Sequence, residues 1–150
     1  MARRIRVDGH SRVPAAATPS RGWHALGMAE ASIGLVLDCA DPETLAEFWS
    51  SALGLVHLGS AGSYTLLVSP SGSLPKLLLQ HVDEPKMTKN RMHLDIETPN
   101  VDGEVARLEG IGARRVEAQS RTEHGTRWVI MADPEDNEFC VCDGGQSGAV

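Results

Sequence analysis

The chain has 150 residues, 41% of them hydrophobic, 23% charged and only 4% aromatic, with a net charge of -6. That is room for one globular domain and excludes two large ones. No uncharged apolar run approaches the ~18 residues of a membrane-spanning helix; the longest lie around Ile33 to Leu37 and Leu77 to Leu79, so a helical membrane-integral role is excluded.

Residues 1–30 carry five arginines against Asp8 and Glu30, net +3, whereas residues 31–150 carry nine basic and 18 acidic side chains, net -9. An acidic body lacks the basic stripe that tracks phosphates, so nucleic acid is not an expected partner. Three cysteines, Cys39, Cys140 and Cys142, are an odd number in a chain without an apolar signal-peptide core. They read as free thiols of a reduced, cytoplasmic protein.

Residues 8–30 show neither helical nor strand period, and residues 1–31 read as a disordered basic tail. The tail can be a transit peptide, a nucleic-acid arm or sequence upstream of a start at Met28, the last being preferred. From Ile33 the chain alternates extended and helical segments. Ile33 to Cys39 predicts a strand with Ile33, Leu35 and Leu37 on one face. Asp41-Pro42-Glu43 opens a helix with an N-cap oxygen, a proline at the first position and an acid facing the dipole. This helix reaches about Leu53, stops at Gly54 and turns Leu45, Phe48, Trp49 and Ala52 to a core. Strands follow near Leu55 to Leu58, Ser63 to Val68 and Lys76 to Val82, with turns at Gly59 to Gly62 and Pro70 to Ser73. The second half predicts a strand over Arg91 to Glu97, a helix over Val101 to Glu109, and strands near Arg114 to Ala118, Thr126 to Met131 and Glu138 to Asp143. Residues 144–150 read as a flexible C-terminus.

Leu45-Ala46-Glu47-Phe48 matches Val105-Ala106-Arg107-Leu108, and Tyr64 to Pro70 matches Trp128 to Pro134. Both halves read βαβββ, as modules over about 32–83 and 89–143 of one domain spanning 32–143. A solenoid would need at least three shorter units. The paired modules, the opening Asp41-Pro42-Glu43-Thr44-Leu45-Ala46-Glu47-Phe48-Trp49 through Leu53-Gly54-Leu55, and the closing Asp133-Pro134-Glu135-Asp136-Asn137-Glu138-Phe139 resemble the vicinal oxygen chelate superfamily of glyoxalases, extradiol dioxygenases and bleomycin-type resistance proteins. Lys89-Asn90-Arg91-Met92-His93-Leu94-Asp95 resembles its glyoxalase-like branch. The resemblance implies an α+β fold in which two tandem βαβββ modules form a concave mixed sheet, a cavity for a small molecule, often a divalent metal, and a homodimer.

Strand alternation selects the side chains that could line such a cavity. Met92, Leu94 and Ile96 face the helix, leaving Arg91, His93, Asp95 and Glu97 on the opposite face. By the same rule Asp38 opposes Leu35 and Leu37, and Glu138, Cys140 and Cys142 oppose Phe139 and Val141. Asp38, Gln80, Arg91, His93, Glu138 and Cys140 are therefore candidate ligand-binding residues, with Tyr64 and Trp128 as stacking walls. A polar face pointing only at solvent is the plainer alternative.

The family's metal positions, carried over residue by residue, fall on Gly34, Gln80, Arg91 and Cys140. A guanidinium has no lone pair to give and glycine has no side chain. This departure speaks against glyoxalase I chemistry and favours a protein without cofactor or metal. A displaced metal site would draw on Asp38, His93 and Glu138, with Cys140 a further donor. Two functions remain. One is a metal-independent small-molecule binding protein of the bleomycin-resistance type. The other is a lyase, isomerase or dioxygenase-type enzyme whose catalytic residues are His93 as general base, Asp95 as its partner and Arg91 as anion stabiliser.

Overall fold

The computed structural model describes residues 32–144. The expected basic tail over residues 1–31 and the C-terminus after Gly144 lie outside the described residues. Strand β1 (Gly34–Cys39) alternates as its apolar period requires: Leu35 and Leu37 are half-buried and Cys39 buried, while Gly34, Val36 and Asp38 are exposed. Ile33 departs from the expectation, since it precedes the strand and is 77% exposed.

Helix α1 (Pro42–Leu53) begins where the sequence places it. The Asp41 carboxylate accepts from the Glu43 and Thr44 amides at 3.1 and 3.2 Å and from the Thr44 hydroxyl at 2.6 Å, satisfying N–H groups that the first turn leaves open. These bonds hold the Asp41 carboxyl below the ordinary carboxylate range, the Thr44 hydroxyl contributing most. At the other end Gly54 takes φ +66°, a left-handed conformation that costs glycine little.

The rest of the module is β2 (Val56–Ala61), β3 (Tyr64–Val68) and β4 (Lys76–His81). Strand β2 continues to Ala61, into the expected 59–62 turn, with a bulge between His57 and Gly59. The chain reverses at Gly62 (φ +60°) and Ser63 instead.

The second module holds β5 (Asp95–Thr98), α2 (Val101–Gly110), β6 (Arg114–Arg115), β7 (Arg121–Glu123), β8 (Thr126–Ala132) and β9 (Glu138–Asp143). Strand β5 starts four residues later than the pattern predicts. The Asn90 amide donates to the Glu138 carboxylate at 3.1 Å, and ladder pairing resumes only where Cys140 N donates to Leu94 O at 2.8 Å. The expected strand over Arg114 to Ala118 is cut short to β6, and β7 is a further strand not expected from the sequence; both are antiparallel to β8. The Arg121 guanidinium folds back on Glu117 between them, and His124 and Gly125, at φ +49° and +84°, close the β7–β8 hairpin.

Each module builds its own mixed sheet. The orders are β1-β4-β3-β2 and β5-β9-β8-β6, with β7 also on β8. In both, the first and last strands run parallel (β1 with β4, β5 with β9), so the internal repeat is a repeat of topology. The architecture is α+β, and neither sheet closes on itself.

A single apolar cluster joins the modules. Phe48 and Trp49 of α1 meet Phe139 of β9 with ring centroids 6.1 and 5.4 Å apart, and Leu45, Leu67, Leu79, Val105, Leu108, Val129 and Val141 are fully buried around them. The second module also grips α1 at both ends. At its start, the Glu135 carboxylate accepts from the Ala40 and Asp41 amides at 2.6 and 2.5 Å. At its end, Arg107 of α2 donates to the Ser51 and Ala52 carbonyls at 3.0 and 2.9 Å, while Glu104 holds the guanidinium from its other side. Helix α1 has no basic residue in its own last turn, so Arg107 supplies the charge that its dipole favours there. Arg107→Ala is expected to cost about 1–2 kcal/mol, reduced from the buried-bond value because the guanidinium is partly exposed. Urea unfolding would show it as a lower midpoint with an unchanged slope.

Candidate functional site

Among the described residues, two cavities bear on the candidate side chains. The larger, about 840 Å³, lies between β1 and the segment 82–94, with Trp49, Leu77 and Phe139 at its base. The smaller, about 520 Å³, lies over the face of the second sheet that points away from α2. His93 and Glu138 line both.

The candidate residues divide between them. Asp38 and Arg91 line the larger cavity only; Asp95, Trp128 and Cys140 line the smaller only. Tyr64 and Gln80 line neither. They are register partners on β3 and β4, and Gln80 also faces Asp38 across the β1–β4 pair. They sit on the outer face of the first sheet, where Tyr64 is 40% exposed. The row expected along one strand is thus split. Because pairing starts only at the end of the segment 90–94, Arg91 turns to the larger cavity and Asp95 to the smaller.

Glu138 fastens the wall between the cavities. Its carboxylate accepts from Lys86 Nζ at 2.9 Å and from the Asn90 amide at 3.1 Å. Burial works against its charge, but the bonds from Lys86 and Asn90 outweigh burial and hold the carboxyl below the ordinary range. Such a group stabilises the fold above its unfolded value near 4.3 and loses that contribution as pH falls through the lower folded value. Glu138→Gln removes the charge-assisted bond to Lys86. Amide hydrogen exchange over residues 84–92 is expected to speed up roughly tenfold at neutral pH, as about 1.4 kcal/mol of local stability is lost, with the difference from wild type shrinking below pH 4.

His93 Nδ1 lies 3.3 Å from Asp95 Oδ1. Asp95 and Cys140 are register partners in the parallel β5–β9 pair, so the Cys140 thiol comes to the same place. Burial, with the Asp95 carboxylate next in weight, pushes that thiol up to about 11. Burial and the surrounding acids do the same for Cys39, also to about 11. All three cysteines are free. As thiols they are poor nucleophiles at neutral pH.

Three cationic cavity residues were not singled out from the sequence, namely Lys86, Lys89 and Arg121. The first two lie in the aperiodic stretch Lys86-Met87-Thr88-Lys89-Asn90-Arg91, whose three cations in six residues stand out in an acidic body. That charge cluster was the available signal. Arg121 is placed by the β6–β7 break, which has no sequence period.

The family's metal positions do not converge here. At Gly34 a Cβ would come within 2.8 Å of Lys76 Cε, so that place is filled by a lysine stem. Gln80 lines no cavity, and Arg91 and Cys140 line different ones. This donor set does not fit a metal ion.

Two mixed sheets of the same strand order, the second with the extra strand β7, share one core and have ligand-sized cavities beside them, which defines a tandem-module protein of the vicinal oxygen chelate type. Residues 34–142 match the Glyoxalase-like domain model, and the chain belongs to that family. No curated protein matches the sequence significantly. Among solved structures, the chain is similar to a glyoxalase/bleomycin resistance protein/dioxygenase family enzyme from Burkholderia phytofirmans (TM-score 0.61, 14% identity, 73% of this chain and 94% of that one). It is also similar to a mutant of the fosfomycin resistance protein FosX from Listeria monocytogenes, complexed with Mn(II) and 1S,2S-dihydroxypropylphosphonic acid (0.64, 15%, 79% and 94%). A third is a glyoxalase/bleomycin resistance protein/dioxygenase from Nocardioides (0.60, 14%, 85% and 95%). At these identities the likeness is one of fold.

Proposed function

We propose that the protein binds a small organic anion in the larger cavity, without the family's metal, in the manner of a sequestering or resistance protein. The observation that carries this reading is the lining of that cavity. Lys89 and Arg91 have no ion-pair partner among the described residues, and they stand over an apolar base of Trp49, Leu77 and Phe139. Unpaired cations above an apolar floor suit a ligand with a carboxylate, phosphate or phosphonate group and an apolar body. The free cysteines fit a reducing, cytoplasmic setting, and no described helix is long and apolar enough to cross a membrane. The exposed Val36, Val56 and Tyr64 on the outer face of the first sheet fit a homodimer.

The test is a thermal-shift screen of aromatic and aliphatic carboxylates, phosphonates and anionic antibiotics, with neutral analogues as controls. Stabilisation by anions and not by their neutral analogues supports the reading; equal response, or none, defeats it.

The His93–Asp95 contact favours one second reading. In it His93 acts as general base on a substrate in the larger cavity and Arg91 stabilises the resulting anion, giving lyase or isomerase chemistry. Turnover of a stabilising ligand by the wild type and not by His93→Ala would select this reading over simple binding.

A further inference from the structure

The larger cavity carries charges of both signs, and a simple anion uses only one of them. Lys86 is taken by Glu138 at 2.9 Å, the Glu135 carboxylate accepts from the Ala40 and Asp41 amides, and His93 contacts Asp95. The charges left over in the lining are Lys89, Arg91, Asp38 and Glu84. Among the described residues none of these four has an ion-pair partner. Thus no nitrogen of the two cations comes within 4.0 Å of a described carboxylate oxygen.

The fold keeps Arg91 and Asp38 on opposite walls. Asp38 is exposed on β1, where the parallel ladder sets it beside Gln80. Arg91 follows Asn90, whose amide is fixed to Glu138 at 3.1 Å. The walls are held by backbone bonds, and the unlike charges they carry face one space without meeting. A ligand in a cavity of about 840 Å³ stays within a Debye length, about 8–10 Å, of both walls. An anion seated on Arg91 therefore also meets the uncompensated Asp38 carboxylate, a like-charge juxtaposition that lowers affinity. An ammonium at the other end of the ligand turns that cost into a second charge-assisted bond. Glu84 is less suited to this part, because it shares the segment 82–94 with Lys89 and Arg91.

We propose that the ligand of the larger cavity is a zwitterion with separated charges: an anionic group on Arg91, an ammonium on Asp38, and an apolar body between them over Trp49, Leu77 and Phe139. This ligand class rests on the anion-binding reading above and narrows it. An α-amino acid head group has its two charges adjacent and places both on one wall. An ω-amino acid or an aminoalkyl phosphonate sets them apart across the apolar stretch that the base of the cavity favours.

The test is calorimetry on the full chain with matched ligands that differ only in the amine. They are ω-amino carboxylates and ω-aminophosphonates of increasing chain length against their parent acids, and para-aminomethylbenzoate against para-methylbenzoate, with the parent amines as a third arm. The best zwitterion is expected to bind about tenfold more tightly than its parent acid. Asp38→Asn should remove that preference and leave parent-acid binding intact or stronger, whereas Glu84→Gln should keep the preference. Three results overturn the zwitterion and leave the anion reading standing: parent acids that bind as tightly as their amino counterparts at every length, a preference that survives Asp38→Asn, or one lost only with Glu84→Gln. Parent amines that bind as tightly as the zwitterions, or no binding by any arm, overturn both.

Discussion

Asp133→Ala is expected to cost about 3–5 kcal/mol, a large part of the ~5–15 kcal/mol that stabilises a domain of this size. Asp133 is 1% exposed, and four N–H groups converge on its carboxylate. They are Trp49 Nε1 at 3.2 Å, the Glu135 amide at 3.0 Å, the Asn137 amide at 3.0 Å, and the Asn137 side-chain amide at 3.2 and 3.0 Å to the two oxygens. Alanine removes the acceptor and leaves buried donors unpaired, among them the indole that ties α1 to the second module. The urea midpoint should fall by a third or more, and Trp49 fluorescence should report the loss together with far-UV circular dichroism. A change below about 1 kcal/mol would mean that water replaces the carboxylate and that the modules are held by the aromatic cluster alone.

The pH dependence of this penalty separates Asp133 from the surface carboxylates. Burial, outweighing the bonds from Asn137, Glu135 and Trp49, pushes the Asp133 carboxyl above its ordinary range. A carboxyl raised in the folded state contributes stability in full below its unfolded value near 3.9 and loses it as pH rises through the folded one. Glu104 behaves in the opposite sense. Burial opposes its charge, but the larger effect of its bond to Arg107 holds it below the ordinary range, so its contribution is present above about 4.3 and fades as pH falls. Moving from pH 7 to pH 4 should leave the Asp133→Ala penalty undiminished and shrink that of Glu104→Gln. Parallel behaviour of the two variants would show that Asp133 is ionised with no net desolvation burden.

Much of this architecture was legible because it rests on local chemistry. Asp41, Pro42 and Gly54 fix the ends of α1 through backbone bonds that depend on neighbouring residues, and the apolar period of α1 selects its buried face. The repeat was legible as well, because two modules with the same strand order need the same alternation. What the pattern missed is non-local. Asn90 belongs to Glu138, 48 residues away, and that bond delays β5 and splits the expected polar row between two cavities. The break between β6 and β7 is accompanied by an Arg121–Glu117 fold-back that no period encodes. For the candidate site the chemistry of the residues was visible, and their grouping was not. Cys140 meets Asp95 through a parallel register, which depends on the crossover through α2 and on where pairing begins, whereas Tyr64 and Gln80 follow the same alternation rule onto a face without a cavity.

Arg91→Ala is expected to weaken binding of an anionic ligand in the larger cavity about 30–100-fold, equivalent to about 2–3 kcal/mol for a charge-assisted bond in a partly desolvated site. Arg91 is exposed in the free protein and has no ion-pair partner among the described residues, so its removal uncovers no buried acid and should leave the unfolding midpoint unchanged. That separates a ligand contact from a structural one. Arg91→Lys keeps the charge but loses the planar fork and should recover only part of the affinity. Lys89 lies on the same wall as a point charge, and Lys89→Ala should cost less, about three- to tenfold, with most of the effect disappearing in high salt. Calorimetry at two salt concentrations with the best anion from the thermal-shift screen measures all three. Equal losses for Arg91→Ala and Lys89→Ala, both abolished by salt, would indicate a diffuse electrostatic attraction; a loss at Arg91 that persists in salt would place the anionic group of the ligand directly on its guanidinium.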